Sequence, residues 1–127
     1  MRNLLWAKVP IWAFLLAAWA ILAGAVAESK WVSDIKSVAG KWEGTISSGG
    51  AGSFPYVLTI NADGSWIGSG FNQIFKGTCV LLNGQLQFKT ETAGRTGTMT
   101  LTETNGQKSL VMVTDDGTMT GELRPAK

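Results

Sequence analysis

Thr96-Gly97-Thr98-Met99-Thr100-Leu101-Thr102-Glu103-Thr104 sets a threonine at every second position, with Gly97, Met99 and Leu101 interleaved. Successive side chains of a β-strand point to opposite faces, so this spacing draws a strand with a hydroxyl-bearing face and a core face. The same alternation recurs elsewhere in the chain. Leu86 and Phe88 interleave with Gln85, Gln87 and Lys89; Tyr56, Leu58 and Ile60 interleave with Val57 and Thr59. Met119, Gly121 and Leu123 interleave with Thr118, Thr120, Glu122 and Arg124. Cys79-Val80-Leu81-Leu82 and Leu110-Val111-Met112-Val113 are apolar in both phases, which asks for a cover over their outer side.

Turn signals separate these runs: Asn61-Ala62-Asp63-Gly64, Asn83-Gly84, Ala93-Gly94, Asn105-Gly106 and Asp115-Asp116-Gly117. Asn-Gly and Asp-Gly tolerate the positive φ of tight hairpins, so each marks a chain reversal. From Glu28 onward the chain holds 15 glycines and 13 threonines, a composition that suits strands and turns and fits helices poorly. Eight strands are expected, over residues 41–47, 56–60, 65–70, 76–82, 85–91, 95–104, 108–114 and 118–123. Ahead of them Ser33 is placed to cap a short helix running to Val38, with Gly40 as its stop. The expected fold class is all-β: a small eight-stranded antiparallel meander barrel, since closure removes the exposed edges of a sheet. A two-sheet sandwich is the alternative.

The start of the chain has a different character. Met1 to Lys8 carries two positive charges, nineteen uncharged residues follow from Val9 to Ala27, and Ala25-Val26-Ala27 has the small-x-small form of a signal-peptidase site. Residues 1–27 are therefore expected to be a cleaved signal peptide, 28–39 a short helical lead-in and 40–127 the barrel, with the product periplasmic or extracellular. An uncleaved anchor is the alternative, because nineteen apolar residues just span a bilayer. A membrane is expected as a partner only in that case.

The chain has 11 Lys and Arg against 9 Asp and Glu, and Arg2 and Lys8 belong to the leader, so the remainder carries nine of each sign. That balance lacks the basic footprint of a nucleic-acid binder. Histidine is absent and Cys79 is the only cysteine, which removes Ser-His-Asp and Cys-His catalysis, histidine metal sites and internal disulfides. Glu43, Glu103 and Glu122 read as the polar phase of their strands, leaving no acid with an apolar pocket to raise its pKa. Asp115-Asp116-Gly117 and Asp63-Gly64 read as turn chemistry, in which Asp bonds the nearby backbone, and not as a calcium loop. Ser47-Ser48-Gly49-Gly50-Ala51-Gly52-Ser53 precedes a strand and lacks a Gly-Lys-Ser ending, so it reads as a hairpin connection and not a phosphate loop. Cys79, inside an apolar run, reads as a buried small hydrophobe. No enzymatic activity, cofactor or metal is expected.

Gly40-Lys41-Trp42, on the first expected strand and just after a short helix, resembles the opening of a lipocalin-type barrel, with Arg124 near the end of the last strand. The resemblance implies that Trp42 and Arg124 stack as a structural plug, by cation–π contact, at the bottom of the barrel.

Fourteen bulky residues fall in inward phases, Trp42, Tyr56, Trp66, Phe88 and Met112 among them, and they favour a filled interior over a cavity. Gly44, Gly68, Gly70, Gly97 and Gly121 share those phases and contribute no volume. Phe71-Asn72-Gln73-Ile74-Phe75 places three large hydrophobes between strands, as a plug, as the lining of an entrance, or as an extension of the flanking strands. The expected function is a secreted or periplasmic non-enzymatic binding protein carrying a small apolar ligand. Tyr56, Trp66, Phe71 and Phe75 would contact the ligand at the wide end. The alternative is a protein-interaction or inhibitor module with a solid core, acting on an envelope protein through the rim segments 47–53 and 71–75.

Overall fold

A computed structural model describes residues 27–50, 52–92 and 94–127. The expected signal peptide lies, apart from Ala27, outside the described residues. Among the described residues there are nine strands: β1 (Glu28–Lys30), β2 (Gly40–Ser48), β3 (Gly52–Ile60), β4 (Ser65–Gly70), β5 (Gln73–Leu82), β6 (Gln85–Thr90), β7 (Thr96–Thr104), β8 (Gln107–Thr114) and β9 (Met119–Pro125). Every pairing is antiparallel. Strands β2 to β9 each pair with their sequence neighbours, and β9 returns to β2 from Trp42↔Pro125 to Ser48↔Met119. The result is a closed eight-stranded up-and-down barrel, and the sandwich is excluded. β1 lies end to end with β6, pairing with β7 at Glu28↔Glu103 to Lys30↔Leu101, beyond the Thr96–Met99 stretch that β6 occupies.

The alternation read from the sequence is the burial pattern of the barrel. Leu86, Phe88, Met99 and Leu101 are buried, as are Tyr56, Leu58, Ile60 and Leu123, while their neighbours turn outward. Glu103 departs from the expectation. It continues the inward phase of Leu101, but at the end of β7 it has passed the core, is half-buried, and lies 3.7 Å from Lys30 Nζ. The outer members of the doubly apolar runs, Val80, Leu82 and Val113, are exposed.

The expected short helix is also corrected. Among the described residues there is no α-helix; Ile35–Val38 forms a single 3-10 turn. Its cap is Asp34 and not Ser33: the Asp34 carboxylate accepts from Lys36 N–H at 3.0 Å, and its carbonyl accepts from the Ser37 hydroxyl at 2.7 Å. A carboxylate at that position satisfies the orphan N–H of the turn as well as any serine would.

This lead-in closes one end of the barrel. Val32 N–H bonds Gly84 O in the β5–β6 turn at 2.8 Å, Ile35 approaches Gly64 in the β3–β4 turn, and Val38 O accepts the Trp42 indole N–H at 2.8 Å. Val32, Val38 and Trp42 are buried, and Ile35 packs against them. The stack of Trp42 on Arg124 is not formed. In the β2–β9 ladder Arg124 pairs with Glu43, both are exposed, and Trp42 occupies the opposite, inward phase. Directly paired residues share a face of the sheet, so the register that buries Trp42 turns the guanidinium outward. The lead-in, and not an Arg cap, seals this end.

Candidate functional site

The opposite end is ringed by the β2–β3, β4–β5, β6–β7 and β8–β9 connections, and a cavity of about 620 Å³ opens there. The favoured filled interior is thereby overturned for this half of the barrel. The bulky side chains are inward, but they lie along the wall. A Cβ added at Gly68 or Gly70 would collide with the Tyr56 ring, one at Gly77 with the Trp66 indole, and one at Gly97 with the Phe88 ring. Each ring therefore rests on a glycine of a neighbouring strand, which only a residue without a side chain permits. Flattened in this way, the aromatics line the lumen without filling it.

Tyr56, Trp66, Phe71 and Phe75, drawn from β3, β4, the β4–β5 turn and β5, all border this one cavity. Tyr56 and Phe75 pack with ring centroids 6.3 Å apart, and Trp66 meets Phe88 edge-on at 6.0 Å. The Trp66 indole N–H is engaged by Thr78 O at 3.0 Å, which fixes the ring against the wall. Phe71 sits at the rim, 58% exposed, with its ring 5.2 Å from that of Phe54. It and Asn72 form the two-residue turn, with φ of 56° and 58°, and β5 starts at Gln73. Most of the apolar segment 71–75 thus extends a strand, and its exposed large hydrophobic members are Phe71 and Ile74.

Further residues lining the cavity were not singled out as ligand contacts from sequence. Phe54 precedes Pro55, which hid the upper part of β3, although it shares the phase of Tyr56. Met112 and Met119 read only as core. Arg95, in the β6–β7 connection, gave no signal; its backbone N–H bonds Thr90 Oγ1 at 2.8 Å, and its guanidinium reaches Met119 Sδ at 2.6 Å.

Two titrating groups at the mouth, Tyr56 and Asp116, are shifted from their ordinary values. Burial pushes the Tyr56 phenol up to about 12, so it stays protonated. Asp116 is held down to about 2, chiefly by the Thr118 N–H and then by the Thr114 and Thr118 hydroxyls. Its Oδ1 takes these bonds at 3.0, 2.7 and 2.8 Å, the turn chemistry expected of it. Asp63 plays the same part in the β3–β4 turn, accepting from Ser65 N–H and Oγ, which lower its pKa. Cys79 is buried below the cavity, and burial followed by the charge of Asp63 raises its thiol pKa.

Fold and site together define a closed antiparallel barrel with one sealed end and one open, aromatic-lined end. No family model, curated protein or solved structure matches this chain.

Proposed function

We propose that the chain is a secreted or periplasmic carrier of a small apolar ligand, built on a lipocalin-like barrel, that binds without transforming what it holds. The observation that carries this reading is the one-ended cavity of about 620 Å³ lined by Tyr56, Trp66, Phe75 and Phe88. Its size falls within the roughly 300–1,000 Å³ typical of ligand sites, and its walls are apolar as such sites are. The residues bordering it include no carboxylate, and the phenol at its centre is protonated throughout the physiological range, which supports binding over catalysis. The leader sequence supports export, and the balanced charge of the remainder supports a neutral ligand over nucleic acid.

Trp66 supplies the test. Of the described tryptophans it alone borders the cavity, Trp31 being exposed and Trp42 lying at the sealed end. Titration with the neutral dye N-phenyl-1-naphthylamine should enhance dye emission, quench Trp66, and saturate at one dye per chain. Absence of saturable binding would remove the carrier reading.

The exposure of Phe71 and Ile74 favours a second reading, an interaction module for an envelope protein. They flank a shallow outer groove with Pro55 and Val57, beside the mouth. Capture of periplasmic proteins by the chain, lost on Phe71→Ser while dye binding is absent, would favour it over the carrier.

A further inference from the structure

Several buried polar side chains in the barrel have partners within it. Trp42 donates to Val38 O, Trp66 donates to Thr78 O, and Thr114 Oγ1 donates to Asp116. Ser109 and Tyr56 are the exceptions, and of the two only Tyr56 borders the cavity. It is only 5% exposed, yet its hydroxyl makes no hydrogen bond to any described residue. Every fully buried side-chain nitrogen or oxygen among the described residues has a partner, so a hydroxyl without one must touch open space. The open space that Tyr56 borders is the cavity. The ring runs down β4, with its near edge over Gly70 and its hydroxyl over Gly68, deeper than the rim. A buried tyrosine ordinarily finds a partner for its O–H, because an unmet hydroxyl in an apolar site is costly.

Resting on the carrier reading above, we propose that the ligand is an apolar molecule bearing one neutral carbonyl or hydroxyl group, inserted polar end first and hydrogen-bonded to the Tyr56 hydroxyl. Neutrality follows from the surroundings. The deep lining is Ile46, Trp66, Phe88 and Met112, while the cations Lys76 and Arg95 stand towards the rim. A carboxylate or phosphate at the depth of Tyr56 would lose its hydration without gaining an ion pair. A carbonyl loses little and accepts the phenol O–H, which stays protonated to about pH 12.

The test uses two ligands of nearly equal shape, 2-acetylnaphthalene and 2-ethylnaphthalene, and two proteins, wild type and Tyr56→Phe, with binding followed by calorimetry. Loss of one neutral hydrogen bond is expected to weaken the ketone by about fivefold to tenfold, and to leave the hydrocarbon within about twofold. Equal losses for both ligands, or none for either, would overturn the hydrogen bond while leaving the carrier intact. Failure of both ligands to bind wild type would instead sink the carrier reading. Tyr56 is the chain's only tyrosine, so its ultraviolet titration reads the same contact in the unaltered protein. The ketone should raise the phenol pKa and the hydrocarbon should raise it less; equal shifts would count against the bond even if Tyr56→Phe does not fold.

Discussion

The two ends of this barrel are built on the same alternating strands and come out opposite. At the sealed end, aliphatic side chains fill the interior: Leu58, Ile60, Leu86, Leu110 and Leu123 are fully buried, in one core cluster with Val32 and Val38 of the lead-in, and Ile35 packs against it. At the open end, aromatic side chains meet glycines beside them and not partners across the axis, so the volume they carry is spread along the wall. A count of bulky inward residues treats the two halves alike. What separates them is where each side chain finds its nearest neighbour.

The largest effect that could break this contrast comes from truncation. Leu86→Ala, in the filled half, removes contacts on all sides and should cost about 3 kcal/mol of unfolding free energy. Met119→Ala, half-buried at the mouth, should cost about 1 kcal/mol, since one side of it already lacks partners. Urea unfolding curves of the two variants decide it. Similar losses would mean that the open end is as closely packed as the sealed one.

Filling the glycines probes the wall directly. A Cβ at Gly77 meets the Lys89 carbonyl as well as the Trp66 indole, and backbone cannot step aside, so Gly77→Ala should cost about 2–3 kcal/mol. At Gly68 the three nearest atoms all belong to the Tyr56 side chain, which has the cavity to move into. Gly68→Ala should therefore cost only about 1 kcal/mol, within the lower range for overpacking, and should weaken dye binding by shrinking the lumen. Equal destabilisation by the two substitutions, with dye binding unaffected, would show that Tyr56 is not free to shift.

Proton linkage sharpens the picture of the mouth. The Tyr56 phenol is raised in the folded chain from 10.0 to about 12, so its contribution to stability is complete below pH 10 and is lost as pH climbs towards 12. Asp116 is lowered from 3.8 to about 2, so its contribution is present above pH 4 and is lost as pH falls towards 2. Urea midpoints measured against pH should decline at both extremes. Tyr56→Phe should reduce the alkaline limb, leaving the share from Cys79, and Asp116→Asn should reduce the acid limb, leaving the share from Asp63 at the sealed end. An alkaline limb unchanged in Tyr56→Phe would place the titrating group elsewhere.

How much of this was legible in the sequence depends on the range of the contacts involved. All eight barrel strands overlap the segments that alternation marks, and four of their turns fall at Asp63-Gly64, Asn83-Gly84, Asn105-Gly106 and Asp116-Gly117, because both signals act within a few residues. β3 and β5 begin earlier than expected, since Pro55 and the apolar turn at Phe71 masked their upper ends. β1 was missed: Glu28-Ser29-Lys30 has no alternation, and only the vacant stretch of β7 beyond β6 recruits it. The four aromatic residues named from the sequence, Tyr56, Trp66, Phe71 and Phe75, border one space. The cavity itself was not legible, because the lodging of Tyr56 on Gly68 and of Trp66 on Gly77 depends on the register between strands. The Trp42–Arg124 stack failed on a signal already present, since Arg124 alternates with inward Leu123 and so faces out. A short motif resemblance lost there to a period of two.

The smallest expected effect on stability belongs to Phe71, and it separates folding from function most cleanly. A bulky residue at φ 56° is unfavourable: the left-handed region costs an L-residue about 1–2 kcal/mol, and glycine avoids that cost. Against it stands the tilted contact with Phe54, of a kind worth about 0.5–1.5 kcal/mol. Phe71→Gly should exchange one term for the other and leave the unfolding midpoint within about 1 kcal/mol of wild type. Folding alone therefore gives no reason for phenylalanine in this turn, whereas an aromatic ring at the entrance to an apolar cavity has a use. Dye affinity should fall at least threefold in Phe71→Gly while stability stays level. A variant that binds dye as well as wild type would make the ring a feature of the outer groove beside the mouth and shift the weight to a protein partner there.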